Sequence, residues 1–495
     1  MGTTSPVSAE RISTGVPGLD EILHGGLFAH QLYLVDGPPG SGKTTFGLQF
    51  LLEGVRTGEK TLYVTLTETP AELATAAASH GWKLDGIEVF EFSSEVPAGG
   101  RSDYTLFYPS EVELTERLTA VLRTFDSLQP TRVVIDSLSE LRLLARDTLR
   151  FRRQILTLKN FFCRRNATVI ILDDMASDGG DRQMHSLTHG VIALNVVPLD
   201  YGSDRRRLKV TKLRGSTFSG GFHDMTITTG GVVMFPRLIA MEHPHSVDQE
   251  CIPTGLAGMD DILGGGIHRG TSTLLIGAAG TGKSALATLF ACAVADRGGF
   301  AAMFTFEESR ATLSARSALL GLPLEKHIES GRIAVEYIDA AEMSAGEFVS
   351  RVRRRVQEDG ARLVVLDSLN GFLHAIPGDR SLLLQLHELL AYLGRHSVAT
   401  VLVEAQSGLV GAGLHSPLDT SYLVDAVVLT RFFEVRGEMR RALSVLKNRL
   451  AFQENTIREL SLGTSIQIGP PLREFEGVIT GTPTWVGRDD SEKTE

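Results

Sequence analysis

The sequence predicts an α/β protein built from two tandem copies of one domain, each a mainly parallel sheet flanked by helices. Three observations predict it. The 495-residue chain repeats itself, with landmark residues of the first half recurring 231–240 positions later. Each half carries short, continuous Val/Ile/Leu-rich runs, the pattern of strands buried on both faces of a parallel sheet. Those runs alternate with helical stretches, the order of an α/β sandwich.

The repeat is explicit. Thr14-Gly-Val-Pro-Gly-Leu-Asp20-Glu-Ile-Leu-His-Gly-Gly26 recurs as Thr254-Gly-Leu-Ala-Gly-Met-Asp260-Asp-Ile-Leu-Gly-Gly-Gly266, identical at eight of thirteen positions. Lys43 and Lys283 keep the offset of 240, as do Glu68 and Glu308; Asp136 pairs with Asp367 at 231 and Lys212 with Lys447 at 235. An ordered series of this kind marks a duplicated domain, not a short-period solenoid. The domains are expected at 1–245 and 246–495, divided in the polar stretch Met241–Glu250, which Pro244 interrupts. His243, His245 and Cys251 lie there without the spacing of a metal site. The charged end Gly487–Glu495 is expected to fray.

The first-half strands are read at Leu32–Asp36, Thr61–Leu66, Arg132–Asp136 and Thr168–Leu172. Their second-half counterparts are Ser272–Ile276, Ala301–Phe306, Leu363–Asp367 and Thr400–Val403. Further strand-rich stretches follow around Gly190–Lys212 and Asp425–Lys447.

Composition bounds the function. Hydrophobic residues make up 42% and charged residues 22%, ordinary for a folded soluble chain and excluding a disordered one. The formal net charge is −10, which argues against a surface that coats nucleic acid. Three scattered cysteines without a CxxC pair exclude a disulfide framework and a structural zinc ribbon. No run of 18 apolar residues and no apolar signal core are present, so the chain reads as cytoplasmic, with no membrane role.

Gly37-Pro-Pro-Gly40-Ser41-Gly42-Lys43-Thr44 and Gly277-Ala-Ala-Gly280-Thr281-Gly282-Lys283-Ser284 both match GxxxxGK[ST]. Each follows an apolar strand and opens a helix, the context in which this motif wraps a polyphosphate with inward N–H groups. The loops, with Thr45, are candidate ATP-binding residues. Lys43 and Lys283 are expected at the β/γ-phosphates, and Thr44 and Ser284 at Mg²⁺. Asp136 and Asp367 end buried strands beside the loops and are expected to hold Mg²⁺ through water. Glu68 in the first half, and Glu307 and Glu308 in the second, follow the next strand and are candidates to polarise an attacking water. The first half has Thr67 where the second has Glu307.

These features together resemble the KaiC-like family, the circadian-clock KaiC proteins and their relatives. The likeness rests on the paired loops, the Thr-Gly-x-x-Gly-x-Asp starts, the glutamates, the Asp-Ser-Leu strand ends, Lys212-Leu-Arg214-Gly-Ser, and Phe433–Arg441, and it spans roughly residues 10–485. It implies two tandem RecA-like P-loop NTPase domains using ATP and Mg²⁺. It implies a homohexameric double ring with nucleotide between subunits, where Lys212/Arg214 and Lys447/Arg449 reach the neighbour's ATP. A cation supplied in this way acts like an arginine finger. The family's Ser-Thr phosphoacceptor pair falls on Ser421 and Tyr422, so the serine is kept and the threonine is a tyrosine. The function implied is an ATP-hydrolysing signalling or timing protein with serine autophosphorylation in the second domain, and a KaiB-like or other signalling protein as partner.

Two other readings stay open at this point. A DNA-handling motor or recombination regulator would use basic loops, and Arg150–Arg153, Arg205–Arg207 and Arg351–Arg355 are basic clusters, although such runs are usually solvated faces. A nucleotide-gated scaffold would keep the loops and use hydrolysis only as a timer.

Overall fold

The computed structural model describes residues 10–92, 109–145, 147–174, 182–239, 250–374, 381–406, 420–450, 454–479 and 483–487. It divides into two units, Met1–Arg237 and Leu238–Glu495. The segment expected to divide the domains, apart from Glu250, lies outside the described residues, as does the end of the chain beyond Gly487.

The first unit is built on one nine-stranded sheet: β1 (Leu32–Gly37), β2 (Thr61–Thr65), β3 (Ile87–Glu91), β4 (Arg132–Asp136), β5 (Thr168–Asp174), β6 (Gly190–Val197), β7 (Arg205–Leu213), β8 (His223–Thr228) and β9 (Gly231–Phe235). Their spatial order is β3-β2-β4-β5-β1-β6-β7-β8-β9. The pairings from β3 across to β6 are parallel and the remainder antiparallel. The second unit repeats the plan with β10 (Ser272–Gly277), β11 (Phe300–Thr305), β12 (Ile333–Tyr337), β13 (Ala361–Asp367), β14 (Ala399–Ala405), β15 (Ala426–Val435), β16 (Glu438–Asn448), β17 (Arg458–Leu462) and β18 (Ile466–Pro471). Its order is β12-β11-β13-β14-β10-β15-β16-β17-β18. This is the predicted architecture of two tandem RecA-like domains.

The apolar runs are continuous because both sheet faces are covered. In β1, Leu32 and Leu34 join one buried cluster with Leu62, Val64, Val133 and Ile135, while Tyr33 and Val35 join another with Tyr63, Val134 and Ile170. Alternate residues of a strand point to opposite faces, so a strand covered on both sides must be apolar throughout. The duplicated Thr-Gly-x-x-Gly-x-Asp start is a local staple. Thr14 N–H and Oγ1 donate to Asp20 Oδ1 at 3.0 and 2.7 Å, and Thr254 repeats both bonds to Asp260 Oδ1 at 2.7 Å each.

The loop after the first strand runs into a helix in each unit, α1 (Lys43–Arg56) in the first. The residue before α1 is Gly42, at φ 96°, and Gly282 takes φ 101° in the second unit. A Cβ would stand 2.8 Å from Ile227 at Gly42 and 2.9 Å from Leu462 at Gly282, so both the left-handed backbone and the close approach require glycine. Next in the first unit comes α2 (Pro70–Ser79), started by Thr69 and Glu72 in a reciprocal capping box with Pro70 in the first turn. The second unit has α3 (Lys283–Asp296) and α4 (Arg310–Leu319), the latter capped by Ser309. These caps fix where the chain leaves β2 and β11, and therefore where the candidate glutamates sit. Among the described residues no helix is long and apolar enough to cross a membrane.

Arg132, at the start of β4, is 2% exposed. It donates to Glu59 Oε1 at 3.0 and 2.8 Å and to the carbonyls of Ser13 and Phe50 at 2.8 and 3.1 Å. Its guanidinium lies 4.8 Å from the centre of the Phe50 ring. Removing one partner of a buried pair strands the other charge and the two carbonyls. Arg132→Ala is expected to destabilise the first unit by about 3 kcal/mol, measured as a shift of its urea unfolding midpoint; a loss below about 1 kcal/mol would assign the cluster no net stabilising role.

Candidate functional site

Each unit builds the same constellation at the carboxyl ends of its parallel strands. In the first, Lys43 folds back over its own loop and donates to the carbonyls of Gly37 at 2.8 Å and Pro38 at 3.0 Å. Lys283 does the same with Gly277 at 2.8 Å and Ala278 at 2.7 Å. Burial pushes the Lys283 ammonium down to about 8, with Asp367 and Glu307 pulling the other way. Gly40 sits at the open apex of its loop, with nothing within 4 Å of where a Cβ would be. Ser41 is buried below the apex. Its counterpart Thr281 bonds the Ala278 carbonyl at 2.8 Å and meets Thr430 Oγ1 at 2.7 Å. Thr45 Oγ1 lies 3.3 Å from His80 Nε2.

Thr44 Oγ1 donates to Asp136 Oδ2 at 3.0 Å. In the second unit Ser284 stands near Asp367 and favours its ionised form. Burial raises both aspartates above the usual carboxylate range, opposed at Asp136 by bonds from Tyr63 and Thr44 and at Asp367 by Ser284. A hydroxyl touching a buried carboxylate is a hard-oxygen set that suits Mg²⁺ and leaves positions for phosphate oxygens and water. The peptide bonds Asp136–Ser137 and Asp367–Ser368 are both cis.

The candidate bases sit next to these aspartates. Leu66 N–H donates to the Asp136 carbonyl at 2.7 Å, and Phe306 N–H to that of Asp367 at 2.9 Å, tying the two strand ends together. Glu68 is held at its backbone by Thr65 Oγ1. Burial raises its carboxyl, and the charges of Asp136 and Glu72 raise it further. In the second unit the two glutamates take different partners. Glu307 Oε1 accepts from Ser368 Oγ at 2.7 Å, whereas Glu308 pairs with Arg316 of α4 at 2.8 Å. Burial raises Glu308, with Arg316 opposing and Asp367 adding to the rise.

The basic motifs stand apart from their own loops. Lys212 of β7 is level with Val191 of β6, which is level with Leu34 of β1. Lys447 of β16 is level with Val427 and Leu274. That is three residues before each loop begins, about 10 Å back along the strand. Lys212 Nζ bonds the carbonyls of His185 and Thr188, the latter at 2.7 Å, and Arg214 bonds that of Ser186 at 2.7 Å. Lys447 bonds the carbonyls of Ser421 and Val424 at 2.8 and 2.7 Å, and Arg449 that of Tyr422 at 3.3 Å. The second-unit motif thus holds the backbone of the candidate phosphoacceptors. His185 and Ser186 take the places of Ser421 and Tyr422 in the first unit. Tyr422 is 58% exposed and Ser421 is half-buried.

Several neighbours of the site carry no motif of their own. Arg206 and Arg441, at the same offset of 235, donate to the apex carbonyls of Gly40 and Gly280, each at 3.2 Å. Their recurrence within the repeat is the signal in the sequence that could have found them. Arg205 is buried and Arg207 pairs with Asp224 at 3.1 Å, so Arg205–Arg207 is not a solvated basic face. Arg351 and Arg355 are likewise engaged by Glu336, Glu347 and Asp359. Tyr63 donates to Asp136 Oδ2 at 2.6 Å, where the second unit has Met303.

Comparison with known proteins agrees with this duplicated site. The family described as "ATPase: KaiC" matches residues 12–239 and again 252–468. The chain is 28% identical over 494 residues to the circadian clock oscillator protein KaiC of Parathermosynechococcus lividus, covering 96% of this chain and 88% of the relative. It is 26% identical over 494 residues to the circadian clock protein KaiC3 of Synechocystis sp., covering 98% and 96%, and 27% identical over 505 residues to KaiC of Acaryochloris marina, covering 98% and 93%. With one family match for each copy of the loop, lysine and aspartate, and likeness running along nearly all of its length, the chain belongs to the KaiC family of ATPases.

Proposed function

We propose that the protein is a Mg²⁺-dependent, ATP-hydrolysing signalling or timing protein of the cytoplasm, with two nucleotide sites per chain and a serine autokinase in the second domain. The observation that carries this reading is the in-register pair of sites, each with a lysine on the loop carbonyls and a loop hydroxyl beside an aspartate at a strand end. Lys43 and Lys283 bind the β/γ-phosphates, and the loop N–H groups enclose them. Bound Mg²⁺, held by Thr44 with Asp136 and by Ser284 with Asp367, would neutralise phosphate charge. Glu68 in the first domain and Glu307 in the second orient water and take its proton, with Glu308 next to Glu307. Burial raises the carboxyls of Glu68 and Glu308, the direction that favours accepting a proton.

Set back along their strands from their own loops, Lys212/Arg214 and Lys447/Arg449 serve the nucleotide of a neighbouring subunit. A closed ring gives every such motif a partner, and a homohexamer is the ring that the family likeness favours. In the second ring the Ser421 hydroxyl attacks the γ-phosphorus of the neighbour's ATP. Its proton passes to Glu307 of the subunit holding that ATP, and the bond to the β-phosphate oxygen breaks to release ADP. Tyr422 carries its oxygen several ångströms further from the backbone, so the same segment cannot place both oxygens in line. A KaiB-like or other signalling protein is the partner class that reads the phosphorylated state.

Three outcomes are expected. Equilibrium dialysis with Mg·ATP should find two nucleotides per chain and one in either Lys43→Ala or Lys283→Ala; one in the unaltered chain, or none in Lys283→Ala, contradicts the two-site reading. Size-exclusion chromatography should give a hexamer in Mg·ATP that falls apart when nucleotide is stripped, because a ligand bound only by the assembly stabilises it; a monomer in both conditions refutes the ring. After incubation with Mg·ATP, mass spectrometry should place phosphate on Ser421 and little on Tyr422. Ser421→Ala should lose most incorporation while keeping hydrolysis, and Glu307→Gln should lower both by about 10²-fold or more; phosphate only at other positions rejects the assignment.

A further inference from the structure

The two lysines differ in one respect that neither the motif nor the family match explains. Besides its two loop carbonyls, Lys43 pairs with Asp174, Nζ to Oδ1 at 2.9 Å. A lysine ammonium has three N–H donors, so Gly37, Pro38 and Asp174 occupy all of them. The side chain of Lys43 is 8% exposed and that of Asp174 47%, which places the carboxylate at the mouth of the loop with the ammonium beneath it.

Sheet register causes the pairing. The last residue of β5, Asp174, lies level with Gly37 at the end of β1. In the second unit Gly277 lies level with Ala405 at the end of β14, and Lys283 has no ion-pair partner among the described residues. The preceding acids do other work. Asp173 takes bonds from Ser139 at 2.9 Å and Arg142 at 2.7 Å, and its counterpart Glu404 accepts from Thr420 at 2.5 Å. Asp174 is therefore the carboxylate at this strand end that faces the phosphate loop.

We propose that Asp174 sets the nucleotide affinity of the first domain, competing with the γ-phosphate for the third donor of Lys43 and so weakening that domain's hold on ATP. This rests on the reading that both domains bind ATP. For polyphosphate to reach Lys43, the lysine must exchange a carboxylate for a phosphate oxygen, and the displaced carboxylate then stands near a phosphate of like charge. The second domain meets neither cost.

The test uses the full-length chain and a fluorescent ATP analogue with Mg²⁺, read as binding and not turnover. In a Lys283→Ala background, where only the first domain binds, Asp174→Asn and Asp174→Ala should each tighten binding about tenfold, equivalent to ~1.4 kcal/mol. The gain should shrink as salt screens the half-exposed carboxylate. In a Lys43→Ala background, Ala405→Asp should weaken the second domain by a similar factor. Unchanged or weaker binding in both Asp174 variants, with thermal unfolding unaltered, overturns the proposal, as does a graft at position 405 without effect. If the Lys283→Ala chain binds no analogue before Asp174 is touched, the two-site reading fails, and this inference with it.

Discussion

Everything else in the site depends on where a buried ammonium finds oxygen. Lys43 and Lys283 are each almost fully enclosed, at 8% and 6% exposure, and a buried cation is tolerated only when its donors are satisfied. The loop meets that requirement by bending its first two carbonyls onto the lysine. It can do so because left-handed glycines set the path of the turn, and because the strand before it is pinned between parallel neighbours on both sides. Sheet, loop and helix start are therefore one device, and every polar group around it acts according to its distance from that charge.

Most of this device is legible in the amino-acid sequence. The strand runs, the phosphate loops, the aspartates and the strand-rich extensions follow from periodicity and from repetition at fixed offsets. Boundaries shift by a residue or two: β1 extends to Gly37, β5 to Asp174 and β14 to Ala405. The last two extensions matter, because they carry Asp174 and Ala405 level with the loops. Not legible are the contacts that sheet order creates between distant segments. Nothing in the local sequence places Tyr63 on Asp136, Arg206 on Gly40 or Arg316 on Glu308. Sequence pattern identifies which residues lie on strands, but the neighbour of a strand is decided by topology, and here β1 sits between β5 and β6.

Duplication makes the chain its own control. Where both copies keep a feature, such as the lysine on its carbonyls or the arginine on the loop apex, the geometry is a requirement of the loop. Where they differ, the difference is a candidate for division of labour. The first copy has Glu68, Asp136 and Asp174 near its loop, and Asp36 directly before it within the influence of Lys43. The second has Glu307, Glu308 and Asp367, with the third acid moved from the end of β5 to the end of β11. The placement of these acids differs between the copies. In the first copy an acid lies against the lysine itself; in the second both glutamates follow the strand end where water would be activated.

Strand register also explains why one chain is not the whole machine in the proposed mechanism. β7 and β16 each carry an arginine that touches their own loop, Arg206 and Arg441, and a lysine six residues later along the same strand, Lys212 and Lys447. Six residues of strand span about 20 Å, more than a lysine side chain can bridge. The strand is thus a spacer, with a cation at its own loop at one end and a second cation out of reach of that loop at the other. For the second cation to act on ATP, that ATP must belong to another subunit. Ser421 is held at its carbonyl by Lys447, so the proposed acceptor sits beside this second cation. Strand length thus keeps the second cation from its own loop, which is the geometric support for the neighbour that the proposed mechanism calls for.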